Sequence, residues 1–146
     1  MTLEQLERSL PNGVHDAELV GLHVDYAARE AVLTVNVDIG DSDDDASQSS
    51  ENYRAARIRF FEIQFVVTDP PTTGDSYSGL SMIDTGSGEP RTSPCSLPPI
   101  RKDCFLCWIF VTQWNSFIRI SARDVALEWG TISVPRILRA CDERSR

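Results

Sequence analysis

The sequence predicts a single, mainly β domain, and three observations lead to that prediction. Apolar and polar residues alternate along segments 20–26 and 33–39, which is the two-residue period of a strand with one buried face. Segments 57–68 and 104–112 are rich in Ile, Val and Phe, which are frequent in strands. Only short stretches near the two ends of the chain favour a helix. We therefore expect an antiparallel sandwich or a partly open barrel with a short helix at each end.

A short N-terminal helix is predicted from about Leu3 to Ser9. Thr2 and Gln5 have the spacing of a capping box, in which each side chain bonds the other residue's backbone N–H. Residues 11–13, Pro-Asn-Gly, then end the helix. Near the other end of the chain, Pro135 is a suitable first residue for a second helical turn.

The two alternating segments predict an antiparallel hairpin with one buried and one solvated face. Residues 27–30 make the connection between the two strands. The residues expected to form the apolar stripes are Val20, Leu22, Val24, Tyr26, Leu33, Val35, Val37 and Ile39.

The later strands carry two interruptions. Within 57–68 the apolar alternation slips after Phe60, and within 117–129 it slips at Arg123. Such slips are typical of β-bulges, which bend a strand. Segment 104–112 is nearly all apolar and predicts a central strand that is covered on both faces.

At 146 residues the chain has the length of one domain with a single core. Two stretches interrupt the strand pattern. Residues 40–52 are acidic and hold almost nothing to bury, which predicts a flexible loop. Residues 72–99 are rich in Gly, Ser and Pro around one apolar island, 80–83, and predict a long loop region.

The chain is acidic, because 14 Lys and Arg are outnumbered by 22 Asp and Glu, and the formal net charge is −8. Such a field repels phosphate groups and makes nucleic acid a poor partner, whereas it favours encounter with a basic protein. The excess is concentrated in the acidic stretch from Asp38 to Glu51, and Trp114 is expected to be exposed because it lies in the predicted turn 113–116. The predicted partner-binding residues are Asp41, Asp43, Asp44, Asp45 and Trp114.

The compartment is predicted from two absences. No apolar run approaches the ~18–20 residues that cross a bilayer, and the first residues do not have the basic start and apolar stretch of a signal peptide. We expect a cytoplasmic protein with no membrane contact, whose four cysteines stay as thiols. An exposed sheet edge would allow a homodimer.

The best candidate for a polar site is a group of two histidines and two carboxylates around the first strand. His15 and Asp16 stand at the strand entry, and His23 and Asp25 lie two residues apart, on the same face of an extended chain. Histidine beside a carboxylate is the pattern of an acid–base pair or a metal ligand. The structural alternative is that His15 and Asp16 hold a turn while His23 lies on the sheet surface.

Two further patterns resemble metal or redox sites but fail in their spacing or context. Cys104 and Cys107 have dithiol spacing, yet on a strand an odd offset sends the two sulfurs to opposite faces, so core thiols are expected. The acidic loop imitates a calcium loop, but Ala46 stands where glycine is needed and Asn52 where glutamate should close the site. We expect no metal and no cofactor.

The stretch Pro11-Asn-Gly-Val-His-Asp-Ala-Glu-Leu19, followed by the hairpin, resembles the opening of a group of small bacterial β proteins of unknown function. The group shares a His-Asp-Ala-x-Leu start. Residues 114–117 and 122–124 also look like repeated features of the group. Some of its members look like immunity proteins of polymorphic toxin systems, which bind and neutralise a toxin. The resemblance implies a compact sandwich or open barrel with His15 and Asp16 near a strand start, and it implies no catalytic residue.

Two functional hypotheses follow from these patterns. The first is a cytoplasmic, non-enzymatic protein of the immunity type that binds a basic partner through the acidic 40–52 loop. The second is a small-ligand carrier or an enzyme with a pocket near His15, Asp16 and His23.

Overall fold

The structure is a computed structural model, and it describes residues 1–40, 52–72, 81–89 and 96–130. In these ranges one helix, α1 (Leu3–Arg8), precedes eight strands. The strands are β1 (Glu18–Asp25), β2 (Glu30–Asp38), β3 (Tyr53–Phe61), β4 (Phe65–Thr68), β5 (Ser81–Ser87), β6 (Phe105–Val111), β7 (Ser116–Ala122) and β8 (Asp124–Trp129). The mainly β class and the N-terminal helix are thereby confirmed. The predicted helical turn at Pro135 and residues 41–51 of the acidic loop lie outside the described residues.

The strands form one open antiparallel sheet in the order β4-β7-β6-β5-β1-β2-β3-β8. The sheet has two well-paired halves, β5-β6-β7-β4 and β1-β2-β3-β8. Where the halves meet, β1 pairs with β5 through Glu18 with Met82 and Leu19 with Ser81, and Asp16 and Ala17 just before β1 share backbone hydrogen bonds with Ile83. The two halves are therefore joined by a narrow seam at this point.

A second connection between the halves is made by two chain segments that each contain two consecutive strands with a kink between them. β3 continues into β4 through Glu62, whose φ is 49°, and β7 continues into β8 through Arg123. Hydrogen bonds cross each kink: Arg123 N donates to Phe61 O at 3.1 Å, and Gln64 N donates to Ser121 O at 2.7 Å. The slips after Phe60 and at Arg123, which the sequence pattern predicts to be β-bulges, are instead breaks between strands, where the chain passes from one half to the other.

Both halves contribute side chains to one core. Leu33 and Val35 of β2 are buried in the same cluster as Ile109 of β6 and Ile120 of β7. The rings of Phe60 and Phe105, one from each half, lie 6.4 Å apart between centroids. Burial of large apolar side chains on this scale is the main favourable term in folding. The sheet is therefore folded over a shared core.

Helix α1 packs against this core through Leu3 and Leu6, both about 2% exposed. The predicted capping box is present, because the Thr2 side chain accepts from Gln5 N and the Gln5 side chain accepts from Thr2 N. The chain has no helix within the described ranges that is long and apolar enough to cross a membrane.

The hairpin of β1 and β2 is confirmed, but part of its predicted apolar stripe is wrong. The pairing register shifts between Leu19 and Gly21, so the side chains before and after this bulge exchange faces. Val20 is 48% exposed and Tyr26, in the turn, is 79% exposed. Ile39 is also exposed, beyond the end of β2, whereas the β2 residues of the stripe are buried.

Strand β5 lies inside the segment 72–99, for which the sequence predicts a long loop. It begins at the apolar island and continues through Gly86 and Ser87, paired along β6. A β-carbon added at Gly86 would overlap the indole ring of Trp108, so the glycine is needed for the ring to lie against the strand. Pairing with β6 and this aromatic contact stabilise β5 although its residues have a low intrinsic propensity for strands.

Candidate functional site

The candidate site lies on the outer face of the half formed by β5, β6, β7 and β4. Along β6 and β7 the side chains alternate, and Cys107, Ile109 and Ile120 point into the core. The intervening residues on the opposite face include Trp108, Phe110, Phe117 and Arg119. This outer face is therefore aromatic and partly charged, which is unusual for a solvated sheet surface.

A cavity of about 440 Å³ opens on this face, within the range of small-ligand pockets. We call it the aromatic cavity, and its main lining residues are Asp69, Thr72, Asp84, Trp108, Phe110 and Phe117. The Trp108 and Phe117 rings are 5.6 Å apart and nearly perpendicular, at 88°. Phe110 and Phe117 are 5.0 Å apart and tilted by 46°. The rings provide apolar area, and their edge-to-face contacts hold them in position.

Asp69, in the cavity wall, forms a buried ion pair. Arg119 Nη2 donates to Asp69 Oδ1 at 2.7 Å, and the two side chains are 0% and 3% exposed. Backbone pairing positions the carboxylate, because Asp69 N donates to Phe117 O at 2.9 Å. The second oxygen, Asp69 Oδ2, is buried without a hydrogen-bond partner in the described part of the chain. A buried acceptor in this state costs about 1–3 kcal/mol of stability.

The polar rim of the aromatic cavity is built where the segment after β4 meets the turn between β6 and β7. Thr72 N donates to Trp114 O at 3.0 Å, and Thr72 Oγ1 donates to Asn115 O at 2.9 Å. Asn115 Nδ2 in turn donates to Thr72 Oγ1 at 2.9 Å. Asn115 has a φ of 48°, a left-handed conformation that asparagine tolerates better than most residues. These bonds hold the rim in one shape.

On another side of the cavity, His15 contacts the lining carboxylate of Asp84. His15 Nδ1 donates to Asp84 Oδ1 at 3.0 Å, and His15 Nε2 lies 3.5 Å from Asp16 Oδ2. The hydrogen bond that His15 donates to Asp84 and the charge of Asp16 raise the pKa of His15 above its ordinary value. The structure therefore joins His15 and Asp16 to the cavity through Asp84, a residue that the sequence reasoning did not select.

Helix α1 brings another carboxylate close to this group. Burial, together with the negative charge of Asp84, raises the pKa of Glu7. Glu7 Oε1 also accepts a hydrogen bond from Thr85 Oγ1 on β5. The surroundings of Asp84 are therefore strongly negative.

The other two residues of the predicted polar group lie elsewhere. His23 and Asp25 are exposed at the far end of β1, seven residues beyond Asp16. At a rise of about 3.3 Å per residue this separates the two pairs by roughly 23 Å. Asp25 Oδ1 accepts from Ala28 N at 3.0 Å and so closes the hairpin turn. The four predicted residues thus form two separate pairs.

Of the predicted partner-binding residues, Asp41, Asp43, Asp44 and Asp45 lie outside the described residues, whereas Trp114 is described and 44% exposed. Trp114 borders a second cavity of about 640 Å³. We call this cavity the Trp114 groove, lined chiefly by Leu19, Val20, Leu22, Pro71, Trp114 and Ile118. It lies beside β1 past the bulge, and it shares Asp69 with the aromatic cavity.

Of the two cysteines with dithiol spacing, Cys107 is a core thiol as predicted, whereas Cys104 is not. Cys107 is buried and donates to Ile120 O at 3.6 Å, whereas Cys104 precedes the strand and is partly exposed. Burial strongly raises the pKa of the Cys107 thiol. Within the described residues no group of three or more His, Cys, Asp or Glu could hold a metal ion. Cys95 and Cys141 are outside those residues.

The importance of Asp69 and Arg119 is missed by the sequence reasoning, although a signal exists. Arg119 interrupts an otherwise apolar strand, Phe117 to Ala122, but a strict alternation assigns it to solvent. Asp69 precedes two prolines and is easily interpreted only as the end of a strand. Their pairing depends on β4 lying beside β7, which the sequence does not reveal.

We predict that Arg119→Met lowers the free energy of unfolding by about 3–5 kcal/mol, because it leaves the Asp69 carboxylate buried without its cation. Arg123→Met is the matched control, since Arg123 pairs with Glu62 at 2.8 Å but both side chains are more than half exposed. The control should lose less than about 1 kcal/mol. Urea unfolding of both variants measures the difference. Equal losses would contradict a structural role for the buried pair.

A second prediction concerns the titration of His15. Asp84→Asn removes the main cause of the raised pKa, so the His15 pKa should fall, and Asp16→Asn should lower it by less. Because the pKa is raised in the folded state, the Asp84 contact stabilises the protein below the ordinary histidine pKa, and this stabilisation is lost as the pH rises through the raised value. Proton NMR of the His15 ring measures the pKa directly. An unchanged His15 curve in Asp84→Asn would refute the contact.

Comparisons with known proteins add no family to this description. No protein-family model matches the chain, and neither a curated protein nor a solved structure matches it. The resemblance of residues 11–19 to small bacterial β proteins therefore stays a prediction. What the chain does is to be inferred from the geometry of its own cavities.

Proposed function

We propose that the protein is a small-ligand-binding domain and that the aromatic cavity is its binding site. The observation that carries the proposal is the cavity of about 440 Å³, whose lining combines three aromatic rings with the acidic residues Asp69 and Asp84. Three aromatic rings in the same cavity supply apolar area. A concave, mostly apolar site with a few convergent polar groups is the usual form of a small-molecule pocket.

The rigidity of the surroundings also supports binding. Trp108, Phe110 and Phe117 stand on paired strands, and the rim is held by the reciprocal bonds of Thr72 and Asn115. A site whose side chains are already ordered spends little conformational entropy when a ligand enters. This proposal keeps the ligand-binding hypothesis of the sequence and moves its centre from His15, Asp16 and His23 to Asp69 and Asp84.

The proposal is tested with a substitution that fills the mouth of the aromatic cavity. Thr72→Trp places an indole in the mouth of the aromatic cavity, and we expect this variant to lose small-molecule adducts that the unchanged protein carries. The probe is the small-molecule fraction of a cell extract, and native mass spectrometry detects the adducts. Thr112→Trp is the matched control, because Thr112 is exposed, donates to Met82 O at 2.8 Å and does not line the cavity. The proposal would be refuted if neither the unchanged protein nor the control carried adducts. It would also be refuted if Thr72→Trp carried the same adducts as the unchanged protein.

A second candidate function is binding of a basic protein, and the exposure of Trp114 favours it. Trp114 and Val20 are 44% and 48% exposed along the Trp114 groove, and tryptophan is among the residues that most often dominate binding energy at interfaces. The net charge of −8 would attract a basic partner. An immunity-type function, as the resemblance implies, would be of this kind.

For this candidate we predict that a stoichiometric basic partner co-purifies with the tagged chain at low salt and is released at moderate salt, since exposed charges are screened as the ionic strength rises. Trp114→Ala should weaken the association about 10-fold or more. Trp129→Ala is the control, because Trp129 is 36% exposed on β8 and lies under Arg54 at 4.7 Å. A salt-independent association, or equal effects of both substitutions, would exclude this mode of binding.

A further inference from the structure

We infer that two copies of the chain associate through an open edge of β1, so that their β1 strands pair antiparallel across a two-fold axis. The inference goes beyond the functions proposed above, because it depends on neither a ligand in the aromatic cavity nor a basic partner. It assigns the homodimer that the sequence allows to one particular edge of the sheet.

Strand β1 has an open edge beyond its bulge. Its pairing with β5 ends at Leu19, whereas its pairing with β2 continues to Asp25. From Val20 to Asp25, the side of β1 that faces away from β2 therefore has no strand beside it in the described part of the chain. An edge of this kind presents backbone N–H and C=O groups to which a further strand can bond.

The hydrogen-bond pattern of β2 shows which backbone groups lie on this edge. Ile39, just past β2, donates from its N to Asn52 O at 2.9 Å, in register with the β2–β3 ladder. The odd-numbered residues of β2 thus exchange backbone bonds with β3, and the even-numbered ones face β1. These lie opposite the odd-numbered residues of β1 past the bulge. Leu22 and Val24 therefore direct their N–H and C=O groups outward.

The two end strands of the sheet have protection that β1 does not have. Strand β8 is flanked by α1, and the N-terminal amine of Met1 donates to Asp124 at its start at 2.7 Å. Strand β4 is four residues long and is followed by Pro70 and Pro71, which have no N–H to donate. The segment from Val20 to Asp25 contains neither proline nor lysine. It is therefore the edge most suited to accept another strand.

The side chains beside this edge are apolar on the face toward the Trp114 groove. Leu22 and Val24 pack against the core but stay only partly buried. Val20 is 48% exposed and Trp114 is 44% exposed, and both line the groove with Leu22. A strand added at the edge would cover part of this surface, and burial of apolar area is favourable.

A second copy of the chain presents a matching edge. In the register that pairs Leu22 with Leu22 of the second copy, Gly21 lies opposite His23. No atom lies within 4 Å of a β-carbon added at Gly21, so the imidazole has room. Asp25 is the only acidic residue past the bulge, and the two-fold axis places the two Asp25 side chains at opposite ends of the paired segment. Like charges therefore do not face each other.

The net charge gives the dimer a property that a complex with a basic protein does not have. Each copy carries a formal charge of −8, so two copies repel each other at long range. Salt screens this repulsion, whereas it also screens the attraction between an acidic and a basic protein. We therefore expect the dimer to become tighter as the salt concentration rises.

The experiment measures the mass of the purified chain by analytical ultracentrifugation over a range of protein and salt concentrations. Amide hydrogen exchange by NMR locates the contact. We expect a dimer whose dissociation constant falls with added salt. The Leu22 and Val24 amides should exchange slowly only at protein concentrations at which the dimer is populated, because only the second copy offers them an acceptor.

Two substitutions test the edge. Val24→Pro removes the outward N–H of each copy and leaves the bonds between β1 and β2 in place, so the dissociation constant should rise about 10-fold or more. Val24→Ala is the matched control, since it also loses the valine side chain but keeps the N–H, and it should change the constant less than about threefold. Val20→Lys, at an exposed position, adds charge beside the edge and should also weaken the dimer about 10-fold.

A dimer that salt strengthens and that Val24→Pro and Val20→Lys dissociate supports the inference. If Val24→Pro does not fold, Val20→Lys and the exchange rates decide. A monomer at every concentration overturns the inference: fast exchange at Leu22 and Val24 leaves the edge open, and slow exchange shows that the chain itself covers it. A dimer that neither substitution weakens overturns the assignment to β1. Association with only a basic protein, released by salt, overturns the second copy as the occupant.

Discussion

The kinked ribbon made of β3 with β4 and β7 with β8 holds the two halves of the sheet against each other. The chain belongs to one half before each kink and to the other half after it. Backbone hydrogen bonds join the two segments at both kinks. The opposite junction, between β1 and β5, is short. The common core, with Phe60 against Phe105, therefore depends on the ribbon, because it keeps the two inner faces within contact distance.

The same ribbon determines the chemistry of the outer face. By placing β4 beside β7 it puts Asp69 next to Arg119, which is wholly buried. A buried guanidinium is tolerated only with a paired anion, and Arg119 uses one oxygen of the carboxylate. The remaining oxygen is buried without a partner among the described residues, in a residue that lines the aromatic cavity. The ion pair thus ties the segment after β4 to β7 beside this cavity.

Different parts of the chain were predictable to different degrees. The capping box of α1 and the hairpin follow from neighbouring residues, and both are confirmed. The slip at Arg123 was visible in the same way, but it marks the break between β7 and β8 and not a bulge within one strand. Strand β5 was not predicted, because Gly86 and its neighbours have low strand propensity and are held by β6 and by Trp108. The exposure of Val20 was not predicted either, since one bulged residue reverses the faces of a strand.

The candidate site, too, combines features that local sequence patterns predict with contacts that they do not predict. Periodicity and turn residues depend on contacts within a few positions, and they are enough to determine a mainly β domain with a helical start. The pairs that make the site join residues far apart in sequence: His15 with Asp84, and Asp69 with Arg119. Which strand lies beside which is decided by packing of the whole sheet, because many pairings satisfy the same local pattern. Tertiary structure alone therefore brought Asp69 and Asp84 to one cavity, each with its distant partner.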